Sequence, residues 1–133
     1  MLVISCIRKK MNYTQIIYPD IKILLVRAFG ELHTKEVALM DKNIRLKAKE
    51  LNYKIIYDFR DTANHMSIAD AYNWFADDDN NVLFKLRNIP VVKITNEHDE
   101  SFFNFFELTS NNKGGRIKTC KDEISAFKWL GQF

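Results

Sequence analysis

The spacing of apolar and polar residues changes several times along the chain, and each change marks an element. Tyr13 to Ile17 and Ile21 to Phe29 are rich in β-branched and aromatic residues. They are separated by Tyr18, Pro19 and Asp20, a Pro-Asp pair suited to a tight turn, so the two runs predict a hairpin. The second run alternates imperfectly, with Ile23, Leu25, Arg27 and Phe29 set against Lys22, Leu24, Val26 and Ala28. That pattern suits a strand covered on much of both faces, which Gly30 is expected to break.

From Thr34 to Leu51 the period lengthens: Val37, Met40, Ile44, Ala48 and Leu51 form one stripe of a helix, with Lys35, Lys42, Lys47 and Lys49 largely outside it. Thr34 is expected to cap this helix and Asn52 to end it. Lys54 to Phe59 reads as a buried central strand. Ser67, followed by Ile68, Ala71, Tyr72 and Phe75 and with Asp70 three residues on, predicts a helix opened by a capping box. The polar run Asp77 to Asn81 interrupts it before a further turn or two over Val82 to Leu86. Pro90 then leads into a strand through Val91, Val92 and Ile94. A helix over Ser101 to Asn111, a short strand over Arg116 to Cys120 and a helix over Asp122 to Leu130 complete the chain. Strand-helix-strand units in series imply right-handed crossovers and a mixed, mostly parallel sheet with an N-terminal antiparallel hairpin and about four helices.

At 133 residues, 47% of them hydrophobic, the chain has enough apolar material for a single core. Twenty basic residues against 17 acidic ones give a net charge of +3, and the basic residues are dispersed, so no nucleic-acid-binding stripe is present. Cys6 and Cys120 lie at opposite ends of the chain, which suits reduced thiols and a cytoplasmic location rather than a disulfide framework. The apolar segment Met1 to Ile7 is too short to span a bilayer, and its basic cluster, Arg8, Lys9 and Lys10, follows rather than precedes it, unlike a secretory signal. Residues 1–12 are therefore expected to lie outside the core as an extension, with Met11 as an alternative start and a single domain over 13–133.

Three junctions carry a family resemblance: Phe29-Gly30-Glu31-Leu32 followed by Thr34, Tyr57-Asp58-Phe59-Arg60-Asp61, and Ala126-Phe127-Lys128-Trp129-Leu130. Their order and spacing, over roughly Tyr13 to Leu130, resemble the STAS-like fold of anti-sigma-factor antagonists and their SpoIIAA-like relatives. The resemblance implies a non-catalytic module that binds proteins, small molecules or lipids, in some cases regulated by phosphorylation of a serine at the start of the second helix. Ser67 matches that phosphoacceptor in position. The antagonists' Asp-Ser-Ser-Gly setting is replaced here by Met66-Ser67-Ile68-Ala69, which retains a serine but not the acidic residue, the second serine or the glycine.

A parallel sheet places its ligand crevice beyond the carboxyl ends of its strands. That rule gathers Gly30 to His33, Asp58 to His65 and Thr95 to Asp99 at one rim, with Asp58, Arg60, Asp61, His65 and Ser67 as the candidate residues for a ligand or protein partner. The plainer alternative is that Asp58 and Asp61 cap loops and pair with Arg60 while Ser67 caps its helix. His33, His65 and His98 approach the same rim, but none has a second ligand at helical spacing, so no metal and no cofactor is expected. Asp77, Asp78 and Asp79 lack the alternation, glycine and closing glutamate of a calcium loop. Lys113-Gly114-Gly115-Arg116 is too short for a phosphate-binding loop, and no Gly-x-Ser-x-Gly elbow is present.

Phe102, Phe103, Phe105 and Phe106 cover more than half of one helix's circumference. Either a neighbouring element such as the Trp74 and Phe75 region covers them, or they line an apolar pocket or a homodimer patch. The leading expectation is a regulatory or protein-interaction module with an unidentified protein partner. The alternative is a carrier of a small apolar ligand, and an enzyme using Asp58 or His65 as base is the least favoured.

Overall fold

The computed structural model describes residues 9–133. The hairpin forms from β1 (Asn12–Tyr18) and β2 (Ile23–Leu32), followed by α1 (Thr34–Leu51), β3 (Lys54–Asn64), α2 (Ile68–Tyr72), α3 (Val82–Lys85), β4 (Val91–Ile94), α4 (Glu100–Asn112), β5 (Ile117–Cys120) and α5 (Glu123–Leu130). The five strands lie in the order β1-β2-β3-β4-β5; β1 and β2 are antiparallel and the remaining pairs are parallel. The mixed sheet is the one the sequence predicts. A fifth helix arises because Asn81 caps the short α3, its side chain accepting from the Leu83 amide.

Sequential strand order with right-handed crossovers obliges the crossover helices to share one face. The larger core accordingly joins α1, α2 and α4 to Leu24, Val26, Ile55, Tyr57, Phe59 and Val91. No crossover follows β5, and α5 covers the opposite face, where Ala126 and Leu130 meet Leu25, Ile56, Val92 and Ile94. That second face has one helix of eight residues to cover it, which leaves the far part of β2 and β3 open to polar side chains.

Several expected boundaries move. Gly30 does not end β2 but lies within it, at φ 93°, where a Cβ would stand 2.6 Å from the Lys10 carbonyl oxygen. The segment beside it is held because the Glu31 amide donates to the Lys9 carbonyl at 3.0 Å. Met11, expected outside the core, is buried in it. Residues 1–8 of the expected extension, Cys6 among them, lie outside the described residues. Thr34 is the first residue of α1 rather than its cap, and its hydroxyl donates to Asp70 instead. Leu51, expected on the buried stripe, is exposed at the helix end, where Asn52 turns left-handed at φ 59°.

β3 runs five residues past the predicted end at Phe59. It does so through a bulge: Arg27 pairs with Asp58, but Phe29 pairs with Asp61, so β3 carries one extra residue there. The Thr62 hydroxyl donates to the Phe59 carbonyl at 2.8 Å across the bulge, and the Asn96 amide donates to the carbonyls of Arg60 and Thr62.

Candidate functional site at the strand ends

The bulge decides which residues share the rim. Before it, Ile56 and Asp58 lie on the α5 face of β3; after it, the pairing of Phe29 with Asp61 and Glu31 with Ala63 transfers that face to Asp61, Ala63 and His65. Alternation from Glu31 brings His33 to the same side. The rim therefore gathers four of the five predicted residues along one edge, and Ser67 follows at the mouth of α2.

Hydrogen bonding sorts these residues into two groups, at levels about 16 Å apart along β2 by strand rise. At the level of Arg27, Asp58 accepts both Arg60 Nε (3.0 Å) and Arg60 Nη2 (2.8 Å), and Arg27 Nε lies 3.6 Å away. Glu123, in the first turn of α5, joins both guanidiniums, at 2.5 Å from Arg27 and 3.4 Å from Arg60. Burial pushes the Asp58 carboxyl up, but the bonds from Arg60 and the charges of Arg60 and Arg27 outweigh it and hold the group below its ordinary value. Asp58 is thus a carboxylate held in place by its guanidinium partners.

The second group stands at the ends of β2 and β3. Glu31 Oε1 lies 2.9 Å from His33 Nε2 and 3.8 Å from His65 Nε2, and the two imidazoles stack with centroids 4.9 Å apart. The His65 amide donates to the Leu32 carbonyl at 2.8 Å, which seats His65 beside β2. His98 does not join them; its ring is exposed and bonded to Asp99 at 3.0 Å. The capping box at α2 forms as predicted: Ser67 Oγ accepts the Asp70 amide at 3.1 Å and Asp70 Oδ2 accepts the Ser67 amide at 3.4 Å. Asp70 Oδ2 also accepts the Thr34 hydroxyl at 2.5 Å, so one carboxylate joins the starts of two helices. A cleft of about 480 Å³ beside this group is lined by Lys9, Phe29, Gly30, Glu31, Asp61 and Thr62.

The phenylalanines of α4 divide. Phe103 and Phe106 are fully buried, stacked on Phe59 and against Trp74 respectively, while Phe102 and Phe105 pack partly buried over the core. Trp74 thus covers Phe106, and Phe59 covers Phe103.

The sequence reading missed a polar group inside the larger core. Asp41 accepts Arg45 Nε (2.8 Å), the Tyr57 hydroxyl (2.6 Å) and Trp74 Nε1 (2.9 Å), all buried. Lys93 Nζ stands over the Phe106 ring, 3.1 Å from its centroid. Burial pushes the Lys93 amine down to about 7, against the pull of Asp41 and with a further push from Arg45. The available signal was the pair Asp41 and Arg45, four apart and adjoining the apolar positions Met40 and Ile44, with a lysine interrupting Val91-Val92-Lys93-Ile94.

No family model and no curated protein matches the chain. A solved structure does: an uncharacterised protein of the DUF3478 family with a SpoIIAA-like fold, from Shewanella loihica PV-4, 18% identical. The match covers 96% of this chain and 99% of that one, at a TM-score of 0.57. The chain therefore has the SpoIIAA-like, or STAS-like, fold that its junctions resemble. Among the described residues no helix is long and apolar enough to cross a membrane.

Proposed function

We propose that this domain is a non-catalytic protein-interaction module whose contact surface is the rim from Asp58 to Ser67 together with α2. One observation carries the reading: Ile68 and Tyr72, four apart on α2, are 63% and 56% exposed, beside the exposed His65 and Ser67. Two apolar side chains presented together, flanked by polar groups, form the kind of small patch that a protein partner covers. Asp58, one of the two side chains that an enzymatic reading would use as base, is engaged by two guanidiniums. Burial of Phe103 and Phe106 against Phe59 and Trp74 favours a surface over an apolar cavity.

Ser67 serves this surface as a cap rather than as a phosphorylation switch. A phosphate on its hydroxyl would meet the Asp70 carboxylate that already closes the box, and like charges repel. The test is quantitative capture from the native cell extract by the intact chain, by Ile68→Asp/Tyr72→Asp and by Leu108→Asp, an exposed position on α4. The expected result is a protein retained by the wild type and Leu108→Asp but lost from the double variant. Identical captures by all three would overturn the assignment.

A further inference from the structure

We propose that Glu31, His33 and His65 form a binding site for a divalent transition-metal ion of the zinc class. The three ligand atoms, one carboxylate oxygen and two imidazole nitrogens, all lie within 4.8 Å of one another. Zn²⁺ takes such ligands at about 2.0–2.2 Å in tetrahedral array, which sets them about 3.4 Å apart. The separations of 2.9 Å and 3.8 Å from Glu31 Oε1 to the two Nε2 atoms bracket that value. Imidazole with carboxylate suits zinc, nickel or copper better than calcium or magnesium, which prefer all-oxygen shells.

The backbone builds the site from rigid parts. Glu31 and His33 stand two apart at the end of β2, and Leu32 between them is fully buried and paired with Asn64. His65 is fixed beside them by the hydrogen bond that its backbone N–H donates to the Leu32 carbonyl and by the bulge that sets its side of the strand. Asn64 in turn donates its side-chain amide to the Met66 carbonyl and accepts the Met66 amide, and its own amide donates to Asp99, so the backbone around His65 is tied on both sides. The rings are nearly parallel, at 16°, and both Nε2 atoms flank the same carboxylate oxygen. An ion there takes the place of the close contact between His33 and Glu31 and draws the two partly exposed rings inward, leaving a coordination position to water. Helical spacing rules applied to sequence cannot find such a set, because its members are joined across strands.

The test is a titration of the intact, reduced chain with Zn²⁺, followed by ¹H–¹⁵N correlation of the imidazole rings, with Co²⁺ absorption in parallel. One equivalent is expected to move the ring signals of His33 and His65 and leave His98 in place. Co²⁺ is expected to give visible bands without the charge-transfer absorption of a thiolate. His65→Asn, at an exposed position, and Glu31→Gln are each expected to weaken binding at least about tenfold. Absence of saturable binding, unchanged affinity in His33→Asn/His65→Asn, or equal movement of all three histidines would overturn the assignment. The wild-type ring spectra decide the matter even where a variant fails to fold.

Discussion

Tyr57 on β3 donates its hydroxyl to Asp41 on α1 at 2.6 Å, across the middle of the larger core. The same carboxylate receives Arg45 and Trp74, so a single anionic group binds α1, β3 and the turn after α2. Arg45 extends the network by donating Nη1 to the Leu86 carbonyl at 2.8 Å and lying over the Phe75 ring. Removing one partner of a buried pair leaves the other charged and uncompensated. Asp41→Asn is therefore expected to lower unfolding free energy by about 3–5 kcal/mol. Urea denaturation followed by tryptophan fluorescence measures it, and a loss under about 1 kcal/mol would contradict this account of the network.

Lys93 gives the stability a particular dependence on pH. Its folded value of about 7 is below the ordinary 10.5, so between those values the unfolded chain holds a proton that the folded chain has released. Stability rises with pH wherever the unfolded state binds more protons, so this group's contribution grows from pH 7 towards 10.5 and is least favourable below 7. Asp41 and Arg45 are the charged groups acting on it. Tyr57 acts in the opposite sense at the alkaline end: burial, then Asp41, raises its value well above 10.0, so its contribution falls as pH climbs past 10. Lys93→Met is expected to flatten the rise between pH 7 and 10 and to be at least as stable as the wild type at pH 6. Denaturant midpoints across that range test both.

The Asp58 cluster contains one buried anion and one partly exposed one, and the two are expected to differ. Asp58→Asn gives up charge-assisted bonds to Arg60 and is expected to lose about 1.5–3 kcal/mol at pH 7. Glu123→Gln, on a side chain about one-third exposed, is expected to lose less than about 1 kcal/mol. Because the folded Asp58 value is depressed, its contribution is present above 3.8 and fades as pH falls through the folded value. Asp58→Asn should therefore converge with the wild type in acid, which thermal melts from pH 7 down to 2 would show.

Ser67→Ala removes the cap acceptor of α2 and is expected to lose about 0.5–2 kcal/mol. The loss should be local as well as global, since α2 has only five residues and shares Asp70 with Thr34. Hydrogen exchange should speed at the amides of Asp70 and Ala71 before it does in α1. Uniform acceleration would contradict the local role.

Much of this fold was legible because the apolar pattern changes where strand and helix meet, as at Phe29 to Thr34 and Leu51 to Lys54. Ser67 and Asp70 signalled their capping box because it is built from residues three apart. What stayed hidden depends on contacts between distant segments. Gly30 looks like a stop until the Lys9–Lys10 segment is seen beside it. Asp41 looks like a surface residue until Tyr57 and Trp74 are brought to it, and Lys93 until Phe103 and Phe106 are. Of the three histidines, His33 and His65 meet through a strand pairing that no local spacing announces, and His98 is carried elsewhere.

The bulge in β3 has a meaning for how this surface can change over time. Substitutions at Glu31, His33 or His65 alter one side chain each. The gain or loss of a single codon near Phe59 and Arg60 instead exchanges the parity of every strand position beyond it, turning Thr62 outward and His65 away from its neighbours. The rim is thus specified by chain length as much as by residue type, and an insertion of one there would erase the site while leaving its residues intact in the sequence.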